Sequence, residues 1–209
     1  MPRPRERNLL EAVLQNIEVA VDAANAANDV ITSIPVIGTA FKICKAIDDI
    51  RARAFAAKLN GFVAEPGLIT SAAKAALAQK LRDSPDEAQK VGETLFLVLD
   101  RFIDLDKPAI LAKVFVAYLD NVVSARDLQR LAQSIDIAFA EDLKALIDAE
   151  ESCILGNFAE DAYAPWRQTL LPSGLTIYNA RGFKVVRTSY EVTPLGQLLW
   201  KAFNLVAKT

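Results

Sequence analysis

The chain is predicted to be mainly α, a helical bundle over residues 5–160 with a small α+β module at 161–209. Three observations predict this. Before about residue 165 the apolar residues recur at helical spacing among many alanines, which favour helix without adding much core volume. After it come short β-like runs, a Pro-Ser-Gly turn and one closing helix. The charge shifts along the chain too. Residues 1–60 hold 8 Lys and Arg against 7 Asp and Glu, residues 61–160 hold 10 against 17, and residues 161–209 hold 6 against 2.

The first predicted helix spans about Asn8 to Asn28. Leu10, Val13, Leu14, Ile17 and Val21 follow the i, i+3, i+4, i+7 rule, and its Ala/Asn half permits close helix approach. Val30 to Phe41 then carries no charge over 12 residues, too short to span a bilayer, which needs roughly twenty. Ser33 and Pro35 fit a new helix start. That helix continues through Ile37, Phe41, Cys44, Ile47, Phe55, Leu59 and Phe62, and Gly61 with Pro66-Gly67 is expected to end it.

An Ala-rich helix follows over about Thr70 to Leu81. Ser84-Pro85-Asp86-Glu87 has the form of a capping box, with Ser as cap, Pro at the first helical position and Glu three residues on. It opens a helix through Val91, Leu95, Leu99 and Phe102. Asp104 to Pro108 marks the next boundary, before Ile110, Leu111, Val114, Phe115 and Tyr118. Asn121 marks a turn, and Ser124 caps a helix carrying Leu128, Leu131, Ile135 and Phe139. A further helix starts near Asp142. No fixed period repeats.

In the last part, Pro165 to Leu171 reads as a short helix stopped by Pro172-Ser173-Gly174. Leu175 to Tyr178 and Phe183 to Arg187 read as paired strands joined through Asn179 to Gly182. Thr193-Pro194 starts a helix with Leu195, Leu198, Leu199, Phe203 and Val206 on its apolar side. Short helix, hairpin and closing helix suggest a winged-helix-like module.

Composition narrows the chemistry. Histidine is absent, which excludes His-based triads, His metal ligands and His proton shuttles. No Gly-rich phosphate loop, GxSxG elbow or CxxC occurs. Cys44 and Cys153 match no metal spacing and read as packed thiols in a reducing compartment. The charged N-terminus leads to no uninterrupted apolar signal core, so the expected location is cytoplasmic, with peripheral membrane attachment as a variant. No cofactor and no catalytic residue is expected, and the chain reads as non-enzymatic.

Three clusters remain as candidate sites. Arg167, Arg181, Lys184 and Arg187 are expected to contact nucleic acid phosphates or a protein partner through the wing and the helix before it. The alternative is that the hairpin only closes the core. Ile34, Ile37, Lys42, Lys45 and Arg53 form an apolar stripe beside basic residues, suited to an anionic membrane or a partner, although Asp48 and Asp49 dilute it and a buried bundle helix explains it equally. Asp100, Asp104 and Asp106 form a weak metal candidate, since four-residue spacing puts the first two on one helix face. Their positions at a helix boundary also suit capping.

Three passages carry a resemblance. They are Ile34-Pro35-x-x-Gly38-Thr39 with Lys42 and the Asp49-Ile50-Arg51-x-Arg53-x-Phe55-x-x-Lys58 run; Leu99-Asp100-x-x-x-Asp104-x-x-Lys107 continuing to Phe115-x-x-Tyr118; and Tyr190-x-x-Thr193-x-Leu195-Gly196. Together they resemble a loosely defined group of small, mostly helical, uncharacterised bacterial proteins, and are distantly similar to the abortive-infection alpha (Abi-alpha) type. The resemblance implies a role in phage defence or stress response and supplies no catalytic residues. The expected function is an interaction protein acting by helix-mediated association with a protein partner or in a homo-oligomer. A nucleic-acid-binding regulator and a membrane-acting effector are the alternatives.

Overall fold

A computed structural model describes residues 50–155, 164–179 and 189–204. Among these the chain is mainly helical, with one two-stranded antiparallel sheet. It divides into two compact units at the Asp100/Arg101 boundary, well before the boundary expected near residue 160.

In the first unit, α1 (Ile50–Val63) turns Phe55, Leu59 and Phe62 inward at i, i+4, i+7 spacing. Gly61 does not end it as expected. A glycine inside a helix costs about 1 kcal/mol, and the burial of Phe62 and Val63 beside it outweighs that. Pro66-Gly67, read as a terminator, opens the single turn α2 (Pro66–Ile69), which buries Leu68.

Thr70 then caps α3 (Ser71–Asp83), its Oγ1 accepting from the Ala73 N–H at 3.0 Å. In α4 (Pro85–Arg101), Val91, Leu95, Val98 and Leu99 supply the buried stripe, and Asp86 and Glu87 sit at the positive end of the helix dipole. The Phe55 and Phe96 rings meet at 5.2 Å. Lys58 Nζ donates to the Asp100 carbonyl at 2.6 Å, satisfying a terminal acceptor of α4.

The second unit is built around α5 (Lys107–Leu119), in which every residue except Ala109 and Lys113 is buried. A helix apolar on all sides must be enclosed. α6 (Ala125–Ile137) and the last helix, α10 (Pro194–Asn204), pack against it. Between α5 and α6 the chain reverses at Asn121, whose φ of 59° is tolerated because Asn visits the left-handed region more readily than most residues. Ser124 caps α6 as expected, accepting from the Asp127 N–H at 3.1 Å.

Two short helices, α7 (Ala140–Asp148) and α8 (Glu151–Leu155), follow. Phe139, expected on the apolar face of the preceding helix, stands instead at the N-cap of α7 and is 70% exposed.

The α9 helix (Pro165–Thr169) and a 3-10 turn (Leu171–Ser173) lead to Gly174, whose φ of 74° suits glycine. β1 (Thr176–Asn179) pairs with β2 (Ser189–Val192), Thr176 opposite Val192 and Tyr178 opposite Tyr190. The partner strand therefore lies further along than expected, and 183–187 falls outside the described residues. α10 buries Gly196, Leu199, Trp200 and Ala202, while Leu195, Leu198 and Phe203, expected inside, are only half-buried.

These elements form no separate tail. α9 and α10 pack on α7, and Ser134 of α6 donates to the Ser173 carbonyl at 2.7 Å. Trp200 Nε1 donates to the Ala149 carbonyl at 2.9 Å, and Asn204 Nδ2 to the Ile147 carbonyl at 3.1 Å.

Candidate functional site

Of the basic residues expected to meet a nucleic acid or partner, only Arg167 is described, and it lies in the interior. It is 3% exposed. Its guanidinium donates to the Cys153 carbonyl at 2.7 Å and to the Tyr190 carbonyl at 3.2 Å, and lies 4.7 Å from the Trp166 ring centroid. Its own carbonyl accepts from Thr176 Oγ1 at 2.6 Å. Arg167 thus ties α8, α9 and the hairpin together, and no part of this arrangement presents it to a phosphate. Arg181, Lys184 and Arg187 lie outside the described residues.

The basic apolar stripe also lies largely outside them, namely Ile34, Ile37, Lys42 and Lys45. Arg53 is exposed on α1. No helix among the described residues is long and apolar enough to cross a membrane.

The three aspartates do not assemble a metal site. Asp104 Oδ1 accepts from the Asp106 N–H at 2.8 Å, holding the loop before α5 in a local turn. Asp106 pairs with Lys144 of α7. Among the described residues no group of three or more His, Cys, Asp or Glu is arranged to hold a metal ion.

The same loop contributes to a surface that sequence reasoning missed. Arg101 and Lys107, flanking residues 102–106, both engage Asp136 at the end of α6. The Arg101 guanidinium lies 2.5 Å from Asp136 Oδ2, and Lys107 Nζ donates to the Asp136 carbonyl at 2.8 Å. Lys107 is itself 9% exposed and lies over the Phe102 ring at 5.8 Å. Burial pushes its ammonium below the usual lysine value, against the opposing fields of Asp136 and Asp104. Lys144, in contrast, is raised by its hydrogen bond with Asp106.

This clamp brings two short segments, 102–106 and 137–139, to one corner of the second unit. There Ile103 is 97% exposed, Leu105 62%, Ile137 59% and Phe139 70%. Beside them Leu105, Ile110, Ile147 and Phe203 line a shallow groove of about 360 Å³, rimmed by Lys113, Lys144, Asp106 and Asp148. A signal was present in the sequence: Ile103 and Leu105 stand among aspartates where a helix boundary gives them no apolar face to join. The proximity of residues 137–139 to them had none, since it depends on contacts about thirty residues apart.

A second cleft, of about 540 Å³, lies between α6 and the start of α10, with Arg130, Asp127, Gln197 and Lys201 on its walls. Asp127 already receives the Ser124 hydroxyl at 2.7 Å and faces Arg130 at 3.9 Å. Cys153 is a free, half-buried thiol, and Cys44 lies outside the described residues.

The chain matches no protein-family model, no curated protein and no solved structure.

Proposed function

We propose that this chain is a non-enzymatic interaction protein, docking a protein partner or a second copy through the corner formed by Ile103, Leu105, Ile137 and Phe139. The observation that carries this is their joint exposure on two segments fastened by the Arg101–Asp136 and Lys107–Asp136 contacts. Single apolar residues at a surface are ordinary, whereas several gathered on one fixed corner suit an interface. The fastening matters energetically because a surface already held in shape loses less conformational freedom on binding. A bacterial phage-defence or stress role rests on the family resemblance alone.

The winged-helix-like reading of α9, the hairpin and α10 belongs with this proposal as a closing module. The five-residue α9 turns its arginine inward, which argues against base reading by that helix.

The test is association of the purified full chain, followed by sedimentation at micromolar concentration with and without its native extract. The wild-type chain is expected to form a defined oligomer or stoichiometric complex, and Ile103→Asp with Phe139→Asp to abolish it. A monomer with no stoichiometric companion, or an association indifferent to both substitutions, overturns the reading.

A further inference from the structure

We infer that the occupant of this corner is a basic amphipathic helix of a partner protein. This rests on the docking reading above and adds the chemistry of what docks. The apolar side chains call for an apolar stripe, and the charges around them indicate its sign. Three of the cations at the corner are engaged by acceptors, Arg101 by Asp136, Lys107 by the Asp136 carbonyl and Lys144 by Asp106, while Lys113 at the groove rim lies over the Phe203 ring at 5.0 Å.

The carboxylates exceed them. Glu141 and Asp142, in the first turn of α7 directly after Phe139, form no ion pair among the described residues. Asp104, beside Ile103, accepts only from a backbone N–H. Asp104 and Glu141 both act on the ammonium of Lys144, the residue that engages Asp106. An apolar surface edged by acids that form no ion pair among the described residues is complementary to leucines flanked by lysine or arginine. Such partners are recognised by laying one helix face on an apolar surface while rim charges set orientation and encounter rate. The same acids repel an anionic lipid surface.

The probe is a labelled amphipathic helix of about 18 residues made of leucine and lysine, with a leucine and glutamate helix as its counterpart. Fluorescence anisotropy is read on the full chain. Wild type is expected to bind the lysine helix saturably and the glutamate helix at least about tenfold more weakly. Phe139→Asp is expected to weaken the lysine helix about tenfold or more. That variant keeps its helix start, since Asp is a favoured N-cap. Glu141→Gln with Asp142→Asn is expected to flatten the salt dependence of binding.

Equal binding of both helices, no saturable binding, or binding unchanged by Phe139→Asp overturns the inference. Flotation of the chain with phosphatidylserine vesicles, lost in Phe139→Asp, overturns it in favour of a membrane. If native association is lost in the Ile103 and Phe139 variants yet the lysine helix fails to compete with it, docking at the corner stands and the basic helix does not.

Discussion

Lys107 and Asp136 are joined side chain to backbone, the lysine Nζ donating to the aspartate carbonyl at 2.8 Å across 29 residues of chain. The carboxylate of the same aspartate faces Arg101. One residue at the end of α6 therefore holds both flanks of the loop that begins the second unit.

This geometry predicts a pH signature. Burial depresses the folded-state Lys107 value below 10.5, so between the two values the unfolded chain binds more protons and stability rises with pH. Lys107→Met removes that rise. Urea midpoints measured for both proteins as pH approaches 10.5 check it, and parallel curves would refute the assignment.

Lys144 has the opposite sign. Its raised value means that whatever it contributes is complete below 10.5 and is lost as pH climbs through the folded-state value. Asp106→Asn removes the hydrogen bond that raises it. An NMR titration of the lysine side chains is expected to show Lys144 returning toward the ordinary value while Lys107 stays depressed.

Arg167→Met is expected to destabilise the second unit by about 2–4 kcal/mol, because two buried carbonyls lose a charged donor. Arg167→Lys recovers only part of this, since one ammonium cannot reproduce the fork reaching both Cys153 and Tyr190. Denaturant unfolding followed by tryptophan fluorescence reads both.

Gly196→Ala is a test of close packing. A Cβ there would stand 2.3 Å from the Leu175 carbonyl oxygen and 2.7 Å from Val192 Cγ1, so backbone must move. A loss of about 1–3 kcal/mol is expected. Thr193→Val, by comparison, removes an Oγ1 that accepts from the Gly196 N–H at 3.2 Å, costing about 1 kcal/mol. A Gly196→Ala protein as stable as wild type would mean that α10 does not seat against the hairpin.

Much of the helical framework was legible because its signals are local. Thr70, Ser124 and Thr193-Pro194 announce helix starts by side-chain chemistry that acts within three residues. What escaped depends on distant partners. Arg167 looked like a surface cation in its own neighbourhood, and only the carbonyls of Cys153 and Tyr190, 14 and 23 residues away, draw it inside. Phe139 fitted the period of the preceding helix, but that helix stops at Ile137 and leaves the ring at the surface. On α10 the sequence pattern marked Leu199, which is fully buried, but also Leu195 and Leu198, which are only half-buried; it missed Trp200, whose indole and the half-buried Asn204 amide each find a carbonyl of the α7–α8 region. The metal candidate failed for a similar reason, since Lys144 answers Asp106 from 38 residues away.

The bonds from Trp200 and Asn204 bear on the order of events during synthesis. The carbonyls of Ile147 and Ala149 emerge from the ribosome some fifty residues before the groups that satisfy them. Until α10 has been made, α5 lacks one of its walls and the end of α7 lacks its donors. Final packing of the second unit therefore waits until residues 194–204 have been made, and a nascent chain paused before residue 194 presents α5 with an uncovered apolar flank, a transient substrate for chaperones.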